Sequence, residues 1–191
     1  MDQVQLPDVT RPDVALVTIS TEYAAGPQDE AVADALAAWA DPPDGLVSAT
    51  VFASADGEVV LTYAQWADDS VRDVGGVRYR VARSTSGAGA PGCVITAGFD
   101  VDGPERQRHV VGAVVDAAVA AGPLSGAVSA HFHLSEDGTR VLNYAEWVSP
   151  EAHERAMREA VLDEIHRVSL ETPGVRPLRG RVHLARGVVR P

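Results

Sequence analysis

Short runs of β-branched and aromatic residues, bounded by glycine and proline, alternate along this chain with Ala/Val-rich stretches at helical spacing. The pattern is clearest in the second half. Cys93 to Val101 reads as a strand, and Asp102-Gly103-Pro104 as a turn with proline suited to a first helical turn. Glu105 to Ala121 reads as a helix. Ser125 to Leu134 and Thr139 to Trp147 read as strands joined through a Glu136-Asp137-Gly138 hairpin. Ser149-Pro150-Glu151 supplies a cap, a proline and an acid at the positive dipole end, and opens a helix running to about Val168. Leu178 to Val189 reads as a closing strand.

The same order occurs twice. Gly45 to Trp66 and Gly126 to Trp147 align without gaps over 22 positions, of which twelve are identical. Upstream, Gly26-Pro27 matches Gly103-Pro104. The halves are therefore 1–86 and 93–191, with a Gly/Ala/Pro-rich linker from Ser84 to Gly92. Each half predicts βαββαβ, a ferredoxin-like order with helices on one face of the sheet. The expected fold class is α+β: two tandem ferredoxin-like domains packed sheet to sheet as an intrachain pseudo-dimeric α+β barrel. The first half has only about eight residues, Ala67 to Val74, for its second helix.

Composition narrows the chemistry. The net charge of −11 argues against a nucleic-acid grip or adhesion to an anionic membrane. All 16 basic residues are arginine, which excludes Schiff-base chemistry and a lysine-bearing P-loop. The single cysteine, Cys93, excludes an internal disulfide and a multi-cysteine metal site, and its place at a strand start predicts a buried, inert thiol. The first residues lack the basic and apolar regions of a signal peptide, and no apolar run nears ~18 residues, so a cytoplasmic location is expected. The arginines after Glu171 (Arg176, Arg179, Arg181, Arg186 and Arg190) either attract phenolates or offset an acidic body.

In the strand that ends at Trp147, Asn143, Ala145 and Trp147 share one face, and Leu142, Tyr144 and Glu146 the other. Asn143 is the only asparagine in the chain, in a strand setting that disfavours it. Asn143 and Trp147 lie roughly 13 Å apart at ~3.3 Å per residue, so an amide and an indole N–H can flank a fused-ring ligand. The first half carries Thr62 in place of Asn143 and retains Trp66, which marks it as a structural partner. His131-x-His133, with His183, has a strand spacing open to a metal, though no carboxylate accompanies it at telling spacing.

Ser129-Ala130, His133, Ser135, Asp137-Gly138-Thr139, Val141 and Asn143-Tyr144-Ala145-Glu146-Trp147, with Val101-Asp102-Gly103-Pro104 ahead of the helix, resemble the antibiotic biosynthesis monooxygenase family. The resemblance covers nearly the whole chain, twice. It implies a cofactor-independent monooxygenase that oxidises a phenolic or anthrone-like polycycle with O₂ in aromatic polyketide biosynthesis. No metal or flavin is implied. The implied partners are a small aromatic substrate and O₂, with no nucleic acid or membrane; a homodimer is possible beyond the intrachain pseudo-dimer.

The resemblance also implies site residues. Asn143 and Trp147 match the motif directly. Family members often carry tyrosine six positions beyond the tryptophan and arginine twenty beyond; here these are His153 and Arg167. His153 is then either a base beside Trp147 or a helix-surface residue. Arg167 is either an anion clamp or a solvated charge at a helix end. Helical geometry puts both on one face with Met157 and Ala160, but ~21 Å apart if the helix is unbroken.

Alternatives on the same fold are a heme-binding or heme-degrading relative, a cyclase-like protein, and a non-catalytic binding protein. For the heme reading, His166 resembles the proximal-ligand position, while Ala156 stands where an aromatic is expected.

Overall fold

A computed structural model describes residues 4–71, 74–158, 167 and 170–191. The elements in chain order are β1 (Leu16–Tyr23), α1 (Gln28–Ala37), β2 (Leu46–Ser54), β3 (Val59–Trp66), β4 (Val77–Ser86), β5 (Cys93–Val101), α2 (Pro104–Ala121), β6 (Ala127–Ser135), β7 (Arg140–Trp147), α3 (Pro150–Arg158), β8 (Val175–Pro177) and β9 (Arg181–Val189). Among the described residues no helix lies between β3 and β4. The expected continuation of α3 to Val168 falls on 159–166 and 168–169, outside the described residues. Residues 175–177 pair antiparallel with Phe99–Val101 as β8.

The expectation of two ferredoxin-like sheets packed face to face as a pseudo-dimeric α+β barrel is corrected. The strands form a single nine-stranded antiparallel sheet, in the order β7-β6-β4-β1-β3-β2-β9-β5-β8, with β7 also paired to β5. The physical reason is that edge strands carry unpaired N–H and C=O groups, which hydrogen-bonding to a further strand satisfies and face-to-face packing does not.

Two compact units are distinguished: Met1–Arg80 with Val182–Pro191, and Val81–Arg181. In the first, β3 lies between β1 and β2, and β2 also pairs antiparallel with β9. Its core gathers Leu16, Leu46, Ala49, Ala64 and Trp66, with Trp39 packed against them. In the second, β7 lies between β5 and β6. There Phe99, Phe132, Val141 and Val175 close with Val110, Val111, Val114 and Val115 of α2. The valines at 110/114 and 111/115 recur at helical spacing, which gives α2 its apolar stripe.

Much of the repeat identity is hairpin chemistry. Ser54 Oγ donates to Asp56 Oδ1 at 2.6 Å and accepts from the Val59 N–H at 2.9 Å. Ser135 Oγ does the same with Asp137 at 2.6 Å and the Arg140 N–H at 2.9 Å. Gly57 and Gly138 take φ of 78° and 79°, open to glycine at no steric cost. Each first helix then sends a glutamine into its hairpin. Gln28 Nε2 donates to Ser54 O, Ser54 Oγ and Val59 O. Gln107 Nε2 donates to Ser135 O, Ser135 Oγ and Arg140 O.

Two outcomes follow from this packing. Gln107→Ala strips a buried carbonyl pair of its donor and is expected to cost about 2 kcal/mol in a denaturant titration. His133 is fully buried; desolvation pushes its pKa down to about 4, against the hydrogen bond from its ring to the His131 carbonyl. The unfolded chain, titrating near 6.5, binds that proton first. Stability is therefore complete above about pH 6.5 and falls as pH drops towards 4. His133→Phe, the residue the first half carries as Phe52, should flatten that acid limb in melts recorded against pH.

Candidate active site

Strand β7 places the candidate residues. Asn143 lies opposite Ala97 on β5 and Phe132 on β6. It shares a face with Val141, which packs against α2, so its amide is on the helix-covered side. Its Oδ1 is buried and has no hydrogen-bond partner among the described residues. An unmatched buried acceptor costs ~1–3 kcal/mol, so the fold alone gives no reason to keep it.

Trp147 lies further along the same face and is 5% exposed. The Ser149 hydroxyl accepts from the Ala152 N–H at 3.2 Å and caps α3. Ala152 and Ala156 bury the inner face of that helix. The methyl-sized contacts bring α3 close, and His153 meets the Trp147 ring edge-on, with centroids 5.0 Å apart and planes at 78°. Burial lowers the His153 pKa below its ordinary value, with neighbouring Glu154 opposing. The neutral imidazole is thus the resting form near neutrality.

Arg167 does not join them by any contact among the described residues. It is exposed and its Nη1 lies 3.3 Å from Glu171 Oε2, one helical turn on. Met157, expected on the face of His153, is 40% exposed. His166 and Ala160 lie outside the described residues. Among the tail arginines, Arg176 pairs with Asp102 at 2.9 Å and Arg186 with Asp29. Cys93 is buried and its pKa is pushed up to about 11 by desolvation, which leaves the thiol protonated.

The first half treats the equivalent positions differently. Trp66 donates its indole N–H to Thr18 Oγ1 at 3.0 Å, and Trp39 packs beside it at 6.0 Å. The register that places Leu16 opposite Trp66 places Cys93 opposite Trp147, so Ile95 stands where Thr18 stood. Isoleucine has no acceptor, and the Trp147 indole N–H makes no hydrogen bond among the described residues. Sequence reading missed this Thr18/Ile95 exchange; extending the repeat alignment upstream of Gly45 and Gly126 would have exposed it.

The opposite face of β7 is also polar. Ser129 Oγ donates to Glu146 Oε2 at 2.9 Å, and the His131 ring nitrogens lie 3.0 Å from Ser129 Oγ and 2.9 Å from Ser84 Oγ. Tyr144 packs near both His131 and His133. With the His131 nitrogens engaged by serines, the metal spacing noted in the sequence is otherwise employed. Among the described residues no three His, Cys, Asp or Glu side chains gather to hold a metal, and no helix is long and apolar enough to cross a membrane.

No family model and no curated protein matches the chain. Solved structures do. An anthrone oxidase-like protein aligns with a TM-score of 0.71 at 16% identity, covering 94% of each chain. A ferredoxin-fold protein from Listeria monocytogenes, related to antibiotic biosynthesis monooxygenases, aligns at 0.59 and 13% identity, over 93% of this chain and 98% of that one. A heme-degrading enzyme of the same organism aligns at 0.53 and 13%, over 88% and 98%. The chain has the ferredoxin-type fold that these monooxygenase-related proteins share.

Proposed function

We propose that the chain belongs with the antibiotic biosynthesis monooxygenases and oxidises a phenolic or anthrone-like polycycle with O₂, without metal or flavin, in aromatic polyketide biosynthesis. The observation that carries this reading is the unpartnered Asn143 amide on the face that holds Trp147 and His153. In the first half Thr62 stands in place of Asn143, and Trp66 finds an acceptor in Thr18 where the second half carries Ile95. The fold likeness to an anthrone oxidase-like protein supports the substrate class.

The chemistry asks little of the protein beyond proton handling and charge stabilisation. His153 accepts a proton from the acidic C–H of a methylene flanked by aromatic rings. The Asn143 amide donates to the resulting oxyanion, and the Trp147 indole N–H faces the other end of the ring system. The electron-rich carbanion passes electrons to O₂ and forms a carbon–oxygen bond. The peroxide then takes up the proton from His153 and loses water. Overall R₂CH₂ and O₂ give R₂C=O and H₂O, so atoms and electrons balance without an external reductant. Arg167, paired with Glu171 at the surface, is assigned to attracting the anionic substrate, not to the reacting atoms.

Two measurements test the reading. Asn143→Ala should lower oxygen uptake with a model anthrone by ~10²-fold, the loss of one oxyanion donor. The same substitution removes an unsatisfied buried acceptor, so its melting temperature should hold or rise. Thr62→Ala should leave turnover unchanged; equal losses from the two would refute the assignment to the second half. In the wild type, turnover should rise with pH through an apparent pKa below the usual histidine value of about 6.5, because burial favours the neutral base. His153→Phe should erase that limb. A limb that instead persists and tracks the substrate's own acidity would remove His153 from the mechanism.

A further inference from the structure

The second unit carries a directed hydrogen-bond chain on the face of β7 away from Asn143. Ser129 donates its only hydroxyl hydrogen to the Glu146 carboxylate. Its oxygen must therefore accept from the other side, which fixes the hydrogen of His131 on Nε2. That leaves Nδ1 of a neutral imidazole as an acceptor, 2.9 Å from Ser84 Oγ. In that neutral tautomer the hydrogens run in one direction, from Ser84 to His131 to Ser129 to Glu146. His131 is 5% exposed and its ring packs against Tyr144, at 6.2 Å between centroids, so its orientation is held. Ser84 is exposed.

Nothing in the fold requires this arrangement. The first half carries Ser48, Thr50 and Gln65 at the positions of Ser129, His131 and Glu146. There Ser48 donates to Gln65 Oε1 at 2.8 Å, and Gln65 donates onward to the Asp8 carbonyl. That pair is thereby satisfied with no ionisable group, while the buried Thr50 hydroxyl at the His131 position has no partner among the described residues. The second half has a base and an acid where the first has neutral hydrogen-bonding groups.

We propose that Ser84 is an activated nucleophile with His131 as its base, forming a second site that accepts acyl groups from activated carboxylic esters. A hydroxyl beside a base that is itself oriented by a third group is the arrangement nucleophilic catalysis needs. Ser84 Oγ attacks the ester carbonyl and its proton passes to His131 Nδ1. The new Oγ–C bond forms as the C–O bond to the leaving alcohol breaks, and the leaving oxygen takes the proton. Water, deprotonated by the same imidazole, then releases the acid and restores the serine. Ester and water become acid and alcohol. Ser129 and Glu146 are positioning residues: they hold the Nε2–H tautomer and face the imidazolium with a carboxylate.

The chain suits a direct assay, because it contains no lysine to scavenge acyl groups, and its one thiol is buried and held protonated. The full chain is mixed with p-nitrophenyl acetate, and release of p-nitrophenol is followed with peptide mapping by mass spectrometry. A burst with acetyl on the Ser84 peptide is expected, absent in Ser84→Ala. His131→Asn should slow acylation by ~10²-fold, the contribution of a general base. Ser129→Ala should slow it about tenfold, the worth of one hydrogen bond to a charged group. Ser129→Thr, which keeps the hydroxyl, should retain the rate. No burst, a burst that survives Ser84→Ala, or acetyl found only on the terminal amine overturns the proposal, as does equal slowing by alanine and threonine at 129. The assay consumes no oxygen, so its outcome is independent of the oxygenase reading.

Discussion

A polar side chain buried in a sheet has to find a partner, and the two copies of this repeat meet that constraint in different ways. At the end of β3 the indole of Trp66 is satisfied by Thr18 and packed by Trp39. At the end of β7 Ile95 takes the place of that threonine, the indole of Trp147 meets His153 edge-on, and the neighbouring Asn143 acceptor stays unmatched. A net hydrogen bond contributes only ~1 kcal/mol, but leaving a buried group unmatched costs ~1–3 kcal/mol. In the first copy the tryptophan is satisfied, and the unmatched buried group is the Thr50 hydroxyl on β2.

The framework itself is specified by a small set of polar contacts that both copies keep. Ser54 and Ser135 each link an aspartate to the first N–H of the next strand. Gln28 and Gln107 reach the same three acceptors although they sit at different distances from the preceding prolines, Pro27 and Pro104. Convergence on one clamp from two helix registers indicates that the hairpin's carbonyls, and not the helix sequence, set the requirement. The motif residues between Ser135 and Arg140 therefore serve folding.

This division governed what was legible in the sequence. Strand β5 and the start of α3 were readable because local periodicity, the Ser149 cap and the Pro150 turn agree. The repeat also made Asn143 stand out against Thr62. The joining of strands into one nine-stranded sheet was not readable, because edge pairing is non-local and leaves no periodic mark. β8 escaped for the same reason: three residues around Pro177 carry no alternation. The second helix expected in the first half is absent among the described residues, where Arg78 instead donates to the backbone carbonyls of Asp69 and Val71. The Ser84–His131 contact joins residues 47 apart, and only position-by-position comparison of the copies gives a hint of it, as Thr50 against His131 and Gln65 against Glu146.

Strand period explains how one element presents two different sets of polar side chains. Successive side chains of β7 point to opposite faces, so Asn143 and Trp147 are separated from Tyr144 and Glu146 by the sheet itself. The helix-covered face combines an amide and an indole, which carry no charge, with an imidazole that burial favours in its neutral form. The other face links a carboxylate, two hydroxyls and an imidazole in one hydrogen-bonded row. A substitution on one face changes its neighbours on that face and leaves the backbone ladder intact, since β7 keeps continuous register with β5 from Cys93 to Asp100. The two sets can therefore vary independently, and the first half, with Thr62 on one face and Gln65 on the other, has neither the unmatched amide nor the acid–base chain.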